Sequence, residues 1–164
     1  MLRKPSLEIE NEVLAEYDRD YVGFCKQVFE DLERTNPGLA DVFYMIKDYE
    51  KQLPGVTLGL QRASAVYRQL ERAAMGSLPI VEMRSALEAV AFEALEDPEA
   101  FVNKYGTPYF YNGLIGQWTL AACVTDSIGN SVDWEVVVFV VVLMIRILEA
   151  QVELDLATPP GSTH

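Results

Sequence analysis

Histidine is almost missing from this chain. The one imidazole is His164, the last residue of the sequence. Nucleophilic catalysis by a Ser-His-Asp or Cys-His set needs an imidazole held in place by surrounding structure, so neither is expected. Cysteine occurs only at Cys25 and Cys123, with no CxxC pair. Two distant thiols and a terminal imidazole do not supply the four ligands of a zinc site, nor a disulfide framework. Both cysteines sit in apolar stretches, Gly23-Phe24-Cys25 and Ala121-Ala122-Cys123, which reads as buried free thiols in a reducing, cytoplasmic setting. No GxxxxGK[ST] loop and no GxGxxG is present, and Gly113-Leu-Ile-Gly116 is too short and apolar to cradle phosphate. No cofactor and no small-molecule substrate is implied.

Positive charge is scarce as well. Thirteen Lys and Arg face 25 Asp and Glu, for a net charge of -12. Such a surface repels polyanions, which argues against nucleic acid and anionic membranes as partners. The opening Met1-Leu-Arg-Lys-Pro-Ser6 is followed by acidic residues and not by an apolar segment, so no signal peptide is expected.

What the chain does have is apolar material. Half of its 164 residues are hydrophobic, enough for one domain with a substantial core. Its longest uncharged apolar run is Val136-Val-Val-Phe-Val-Val-Val-Leu-Met-Ile145, resuming after Arg146 with Ile147 and Leu148. As a helix, residues 136–148 span about 20 Å, short of the roughly 30 Å hydrocarbon core of a bilayer. Six valines in ten residues favour a strand by propensity. No convincing partner strand precedes them, and a lone strand leaves its backbone groups unpaired. Helical phasing places Glu135, Phe139, Val142, Arg146, Glu149 and Glu153 on one stripe, so the run is expected to be a helix buried all round at first and on one side later. With the preceding Leu114–Thr125 helix it forms an apolar hairpin, either the centre of a bundle or a pair covered only when subunits associate.

Upstream, Ser6 is expected to cap a first helix carrying Leu7, Leu14, Tyr21 and Val28, interrupted near Asp18-Arg19-Asp20. Asn36 followed by Pro37 reads as the cap and first residue of the next helix. A third opens at Thr57 and ends at Gly76. A fourth is expected to be capped by Ser77, with Pro79 in its first turn and Ile80, Met83, Leu87, Val90, Ala91 and Ala94 as its stripe. Asp97-Pro98 starts a short helix to about Tyr105, Thr107–Gly113 reads as an aromatic turn, and Asp126–Ser131 as a loop.

The expected fold is therefore an all-α, compact bundle of six or seven helices around a buried hydrophobic C-terminal helix. Residues 1–157 form the single helical domain and 158–164 an irregular tail. Trp134, Val138, Val141, Leu143, Ile145 and Leu148 are its expected core.

Carboxylates are the only plentiful catalytic groups. Glu30-x-x-Glu33 and Glu93-x-x-Glu96 place acids one turn apart, but no second acidic pair or ExxH completes a metal centre, so no metal is assigned. Tyr105, Tyr109, Phe110, Tyr111 and Trp118 form the densest aromatic cluster. Of these, Tyr109, Phe110, Tyr111 and Trp118 are candidate interface residues, as aromatics are favoured anchors at protein contacts. Arg68 and Arg72, on one face of the only net-basic stretch, are the other candidates, either gripping an acidic partner or pairing within the chain. The expected function is non-enzymatic: a protein-interaction or assembly (structural) subunit that self-associates as a homo-oligomer. The alternatives are an acidic inhibitor or immunity-type protein that covers a basic partner, and a metal-dependent helical hydrolase.

Overall fold

A computed structural model describes residues 2–157; Met1 and the expected irregular tail, residues 158–164, lie outside the described residues. Local capping chemistry starts most of the helices. The Ser6 hydroxyl accepts the Ile9 N–H at 3.1 Å and opens α1 (Leu7–Arg19). Asp20 breaks the chain there, and its carboxylate accepts the Gly23 N–H at 3.0 Å to open α2 (Tyr21–Thr35). Pro37 begins α3 (Pro37–Lys47). α4 (Val56–Ala73) follows Gly55, whose φ of 108° suits glycine. Gly76 (φ 81°) closes α4, its N–H bonded to the Glu71 carbonyl.

Residues 77–82 are not helical, and the fourth expected helix begins later, as α5 (Met83–Glu96), capped by Glu82. Ser77 caps nothing: its hydroxyl donates to the Ala74 carbonyl at 2.6 Å. Asn36 likewise makes no cap bond to α3. Its side chain is turned across the bundle, where Nδ2 donates to the Pro79 carbonyl at 3.0 Å and Oδ1 accepts the Val81 N–H at 2.9 Å. That bidentate latch ties residues 79–81 to the start of α3, where no helical turn forms around Pro79. Gly38 permits it, because a Cβ there would collide with the Val81 carbonyl oxygen.

Asp97 caps α6 (Pro98–Phe101), which runs through a π turn (Val102–Gly106) into α7 (Thr107–Tyr111). The expected aromatic turn is thus largely helical: its backbone continues the right-handed helix from Phe101 through Gly106 without a break. α8 (Gln117–Gly129) and α9 (Trp134–Ala157) complete the chain. α8 is shifted toward the C-terminus of its expected range, and most of the expected 126–131 loop is helix, closed by the Asn130 N–H on the Asp126 carbonyl. Counting 98–111 as one segment, the described residues form eight helices and no strand, more than the expected six or seven because Asp20 divides the first stretch.

α9 packs against α4, α5, α6, the π turn and α8. Every residue from Val137 to Val142 is buried, as are Met144, Ile145, Ile147, Leu148 and Ala150, while Glu153 to Ala157 are exposed. It comes close to α4, where a Cβ at Gly59 would lie only 2.7 Å from Val140 Cβ. Val138, Val141, Ile145 and Leu148 are buried and Leu143 is partly so. Trp134 is not core. As the first residue of α9 it is 45% exposed and lines a cleft with Pro98 and Asn103.

The charged stripe of α9 lies beneath the π turn. Arg146 pairs with Glu153 at 3.0 Å and with Glu149 at 3.6 Å, and its guanidinium sits 5.0 Å from the Tyr105 ring centre. No helix among the described residues is long and apolar enough to cross a membrane.

Candidate protein-interaction site

α3 and α5 are in contact with each other, and α5 also packs against α9. Between them lies a groove of about 240 Å³, walled by Met45, Ile46 and Tyr49 on one side and by Leu87, Ala91 and Leu95 on the other. Phe139 and Leu143 of α9 form its floor. The lining is nearly all apolar, which is unusual for a surface left to water. Its rim is exposed: Leu95 is 67% exposed, and Met45 and Tyr49 are exposed opposite it. Phe92, one position past Ala91 on α5, is 85% exposed. None of these residues is among the interface candidates read from the sequence. The signal was present in α5, whose stripe of Leu87, Val90, Ala91 and Ala94 leaves Phe92 and Leu95 without a place in the core.

The sequence-derived candidates are scattered. Tyr109 is buried, and its hydroxyl donates to the Glu149 carboxylate, so it anchors α7 to α9 and does not face a partner. Burial, with Glu149 beside it, pushes the Tyr109 phenol well above its ordinary value. Phe110 and Tyr111 are exposed, packed edge to face at 5.8 Å, with Tyr111 82% exposed. Trp118 is exposed on α8, beside Lys4 and Glu10. Its outward position follows from the face that α8 buries: Thr119, Cys123 and Ser127. Thr119 is satisfied by Glu10, which accepts both its N–H and its hydroxyl, and by Gln69, which donates to it at 3.0 Å.

Arg68 and Arg72 are engaged within the chain. Arg68 pairs with Asp31 at 2.7 Å and with Glu71, and Arg72 grips both oxygens of Glu16. They tie α4 to α2 and α1. The Arg72 hydrogen bond holds the Glu16 carboxyl below its ordinary value of 4.5. Burial opposes ionisation of Asp31, yet hydrogen bonds from Arg68, Gln27 and Arg34 outweigh it and leave that carboxyl lowered from 3.8. Groups with depressed folded values add stability above their unfolded values and lose it as pH falls through the folded ones. Thermal melts are therefore expected to hold steady above an unfolded-state value of 4.5 and to drop as pH is lowered below it. A melting temperature unchanged well below that point would contradict these pairings.

The paired acids do not assemble a metal centre. Glu33 accepts the Tyr44 hydroxyl, and Glu93 accepts Lys104 and the Tyr105 hydroxyl. Among the described residues no group of three His, Cys, Asp or Glu is placed to hold a metal ion. Burial raises the Cys25 thiol to about 11 and the Cys123 thiol to about 12, which leaves little thiolate at neutral pH.

No protein-family model, no curated protein and no solved structure matches this chain. The functional reading therefore rests on the geometry of the molecule alone.

Proposed function

We propose that this chain is a non-enzymatic assembly subunit that self-associates through the α3/α5 face. The observation that carries the reading is the apolar groove floored by Phe139 and Leu143 and bordered by exposed Met45, Tyr49 and Leu95. Water gains nothing from this surface, while a second copy covers it with an equivalent apolar ridge. A two-fold contact is the simplest closed arrangement, each subunit offering the same patch. The buried helix α9 is then the axis of each subunit, and the groove is where its covering is thinnest. Free thiols at Cys25 and Cys123 fit a reducing cytoplasm.

Sedimentation velocity across concentrations and salt levels tests the reading. The wild-type chain is expected to exceed monomer mass and to do so equally at low and high salt. Leu95→Glu and Met45→Glu place charges on the rim and are expected to give monomers whose melting temperature matches that of the dissociated wild type. A wild-type chain that is monomeric at every concentration removes the proposal.

A second reading, the acidic inhibitor, draws on the charge of -12 and on the engagement of Arg62, Arg68, Arg72 and Arg146 in internal ion pairs. The excess carboxylates favour a basic partner. Salt-sensitive capture of such a protein, with the free chain monomeric, is its distinguishing result.

A further inference from the structure

A second cleft, of about 400 Å³, adjoins the α3/α5 groove and shares Leu53 and Phe139 with it. Four carboxylates line it: Asp97 and Glu99 at the start of α6, Asp133 and Glu135 at the start of α9. No lysine or arginine is among its lining residues. Asp97 and Asp133 each give one oxygen to a backbone N–H, those of Ala100 and Glu135. The Glu99 and Glu135 side chains have no hydrogen-bond or ion-pair partner among the described residues. Trp134, 45% exposed, stands between them. Carboxylates around an indole favour a cation with a flat face, above all a guanidinium. Because the cleft and the groove are continuous, a partner that covers one reaches the other.

Acids favour helix starts in their own right, so the occupant is identified by the helix that walls the groove. Arg84 is the only cation of α5 and stands at its start, while Glu96 and Asp97 stand at its end. At 100° per residue Arg84, Glu88, Ala91 and Leu95 share one stripe, and Ala91 and Leu95 of that stripe line the groove. Arg84 is held by Glu88 alone, at 3.3 Å, with both side chains largely exposed. Such a pair contributes little, so the guanidinium is free to turn to a better site. Two α5 helices packed antiparallel about a two-fold axis at Ala91 complement each other along their length. Leu95 of one copy lies level with Leu87 of the other, in the groove wall. Phe92, 85% exposed, is covered beside the axis. Arg84 and Pro98 each stand seven residues from Ala91, so Arg84 of one copy, about 10 Å from the axis, comes level with the other's acidic cleft. A parallel pair would set Arg84 on Arg84 and Glu96 on Glu96.

We propose that α5 packs antiparallel on α5 of a second copy, and that the Arg84 guanidinium of each copy enters the other's Trp134 cleft between Glu99 and Glu135. This rests on the assembly reading and adds to it the register of the contact and a polar lock at each end. Each cleft is incomplete until the partner's Arg84 arrives. The apolar groove supplies the affinity and the lock sets the orientation, so association stays largely indifferent to salt.

Sedimentation velocity and cysteine cross-linking of the full chain test it. Arg84→Glu, an exposed change, is expected to weaken the dimer about tenfold and to leave the monomer's melting temperature unchanged. Adding Glu99→Arg to Arg84→Glu is expected to restore association. Ala91→Cys is expected to form an intermolecular disulfide on mild oxidation, because the axis passes beside it. Arg84→Cys, about 20 Å from its own copy, is expected to form none. The wild-type chain is the control for Cys25 and Cys123. A wild-type dimer whose affinity is untouched by Arg84→Glu, or in which Arg84→Cys cross-links and Ala91→Cys does not, overturns the register and leaves the assembly reading standing. A wild-type chain that is monomeric at every concentration overturns both, and capture of an arginine-rich peptide by that monomer transfers the cleft to the acidic-inhibitor reading.

Discussion

Val140→Asp is expected to abolish cooperative folding. Val140 is fully buried on α9 and faces Gly59 of α4 across a close helix contact. The substitution removes a valine whose burial contributes about 1.5–3 kcal/mol. It also puts a carboxylate inside the hydrophobic core cluster. An unpaired buried charge costs several kcal/mol even after the surroundings relax. Together these losses approach the whole stability of a typical domain, about 5–15 kcal/mol. Near-ultraviolet circular dichroism and a thermal melt decide the matter: the variant should lose its aromatic signal and show no transition. Val140→Ala is the companion, expected to remain folded and to cost about 2 kcal/mol. A Val140→Asp protein that melts like the wild type would mean that α4 and α9 do not meet at Gly59.

The second large effect belongs to Asn36→Ala. This residue is 3% exposed, and its amide holds the Pro79 carbonyl and the Val81 N–H at once. Alanine leaves both backbone groups without partners, one fully and one partly buried. At about 1–3 kcal/mol for each unsatisfied group, the loss is on the order of 2–5 kcal/mol. The non-helical 79–81 segment is also released from α3, which loosens the entry to α5. Urea denaturation should show a lower midpoint with an unchanged slope. Asn36→Asp keeps the acceptor for Val81 but turns a carboxylate toward the Pro79 carbonyl, so it should not rescue. A midpoint equal to that of the wild type would show that the latch contributes nothing to the folded state.

Where sequence reading succeeded and failed follows the range of the deciding interaction. The caps at Ser6, Asp20 and Asp97 each bond a backbone N–H three residues ahead. They depend on nothing distant, so the order of residues reveals them. Ser77 and Asn36 looked like the same signal. Their fates were decided by a contact spanning 43 residues, which a local pattern does not contain. The buried face of α8 is hidden from the sequence for a related reason. It buries Thr119 and Ser127 while exposing Trp118, because Glu10 and Gln69 satisfy Thr119 and the Cys123 carbonyl satisfies Ser127. Hydrophobic periodicity assumes that polar residues face water, and here that assumption fails.

The α3/α5 groove was legible only as a remainder. Once α5 had its inward stripe, Phe92 and Leu95 were left over, and they are among the exposed apolar residues beside the groove. The aromatic cluster drew attention instead because it is dense in sequence. Its most buried member, Tyr109, turned out to serve the attachment of α7 to α9.

The position of α9 in the chain has a kinetic meaning. It follows every helix that it organises, and its main partner α4 lies some 80 residues earlier. Closing so long a loop is entropically slow, and non-local contacts of this kind retard folding relative to neighbour-to-neighbour helical bundles. During synthesis α4 and α5 emerge with their inward faces uncovered and wait for α9 to arrive. In that interval the nascent chain presents apolar surface that the finished protein hides. Its exposure to aggregation is therefore greatest just before the valine run leaves the ribosome, and a stop within α9 leaves the preceding helices without a core to close upon.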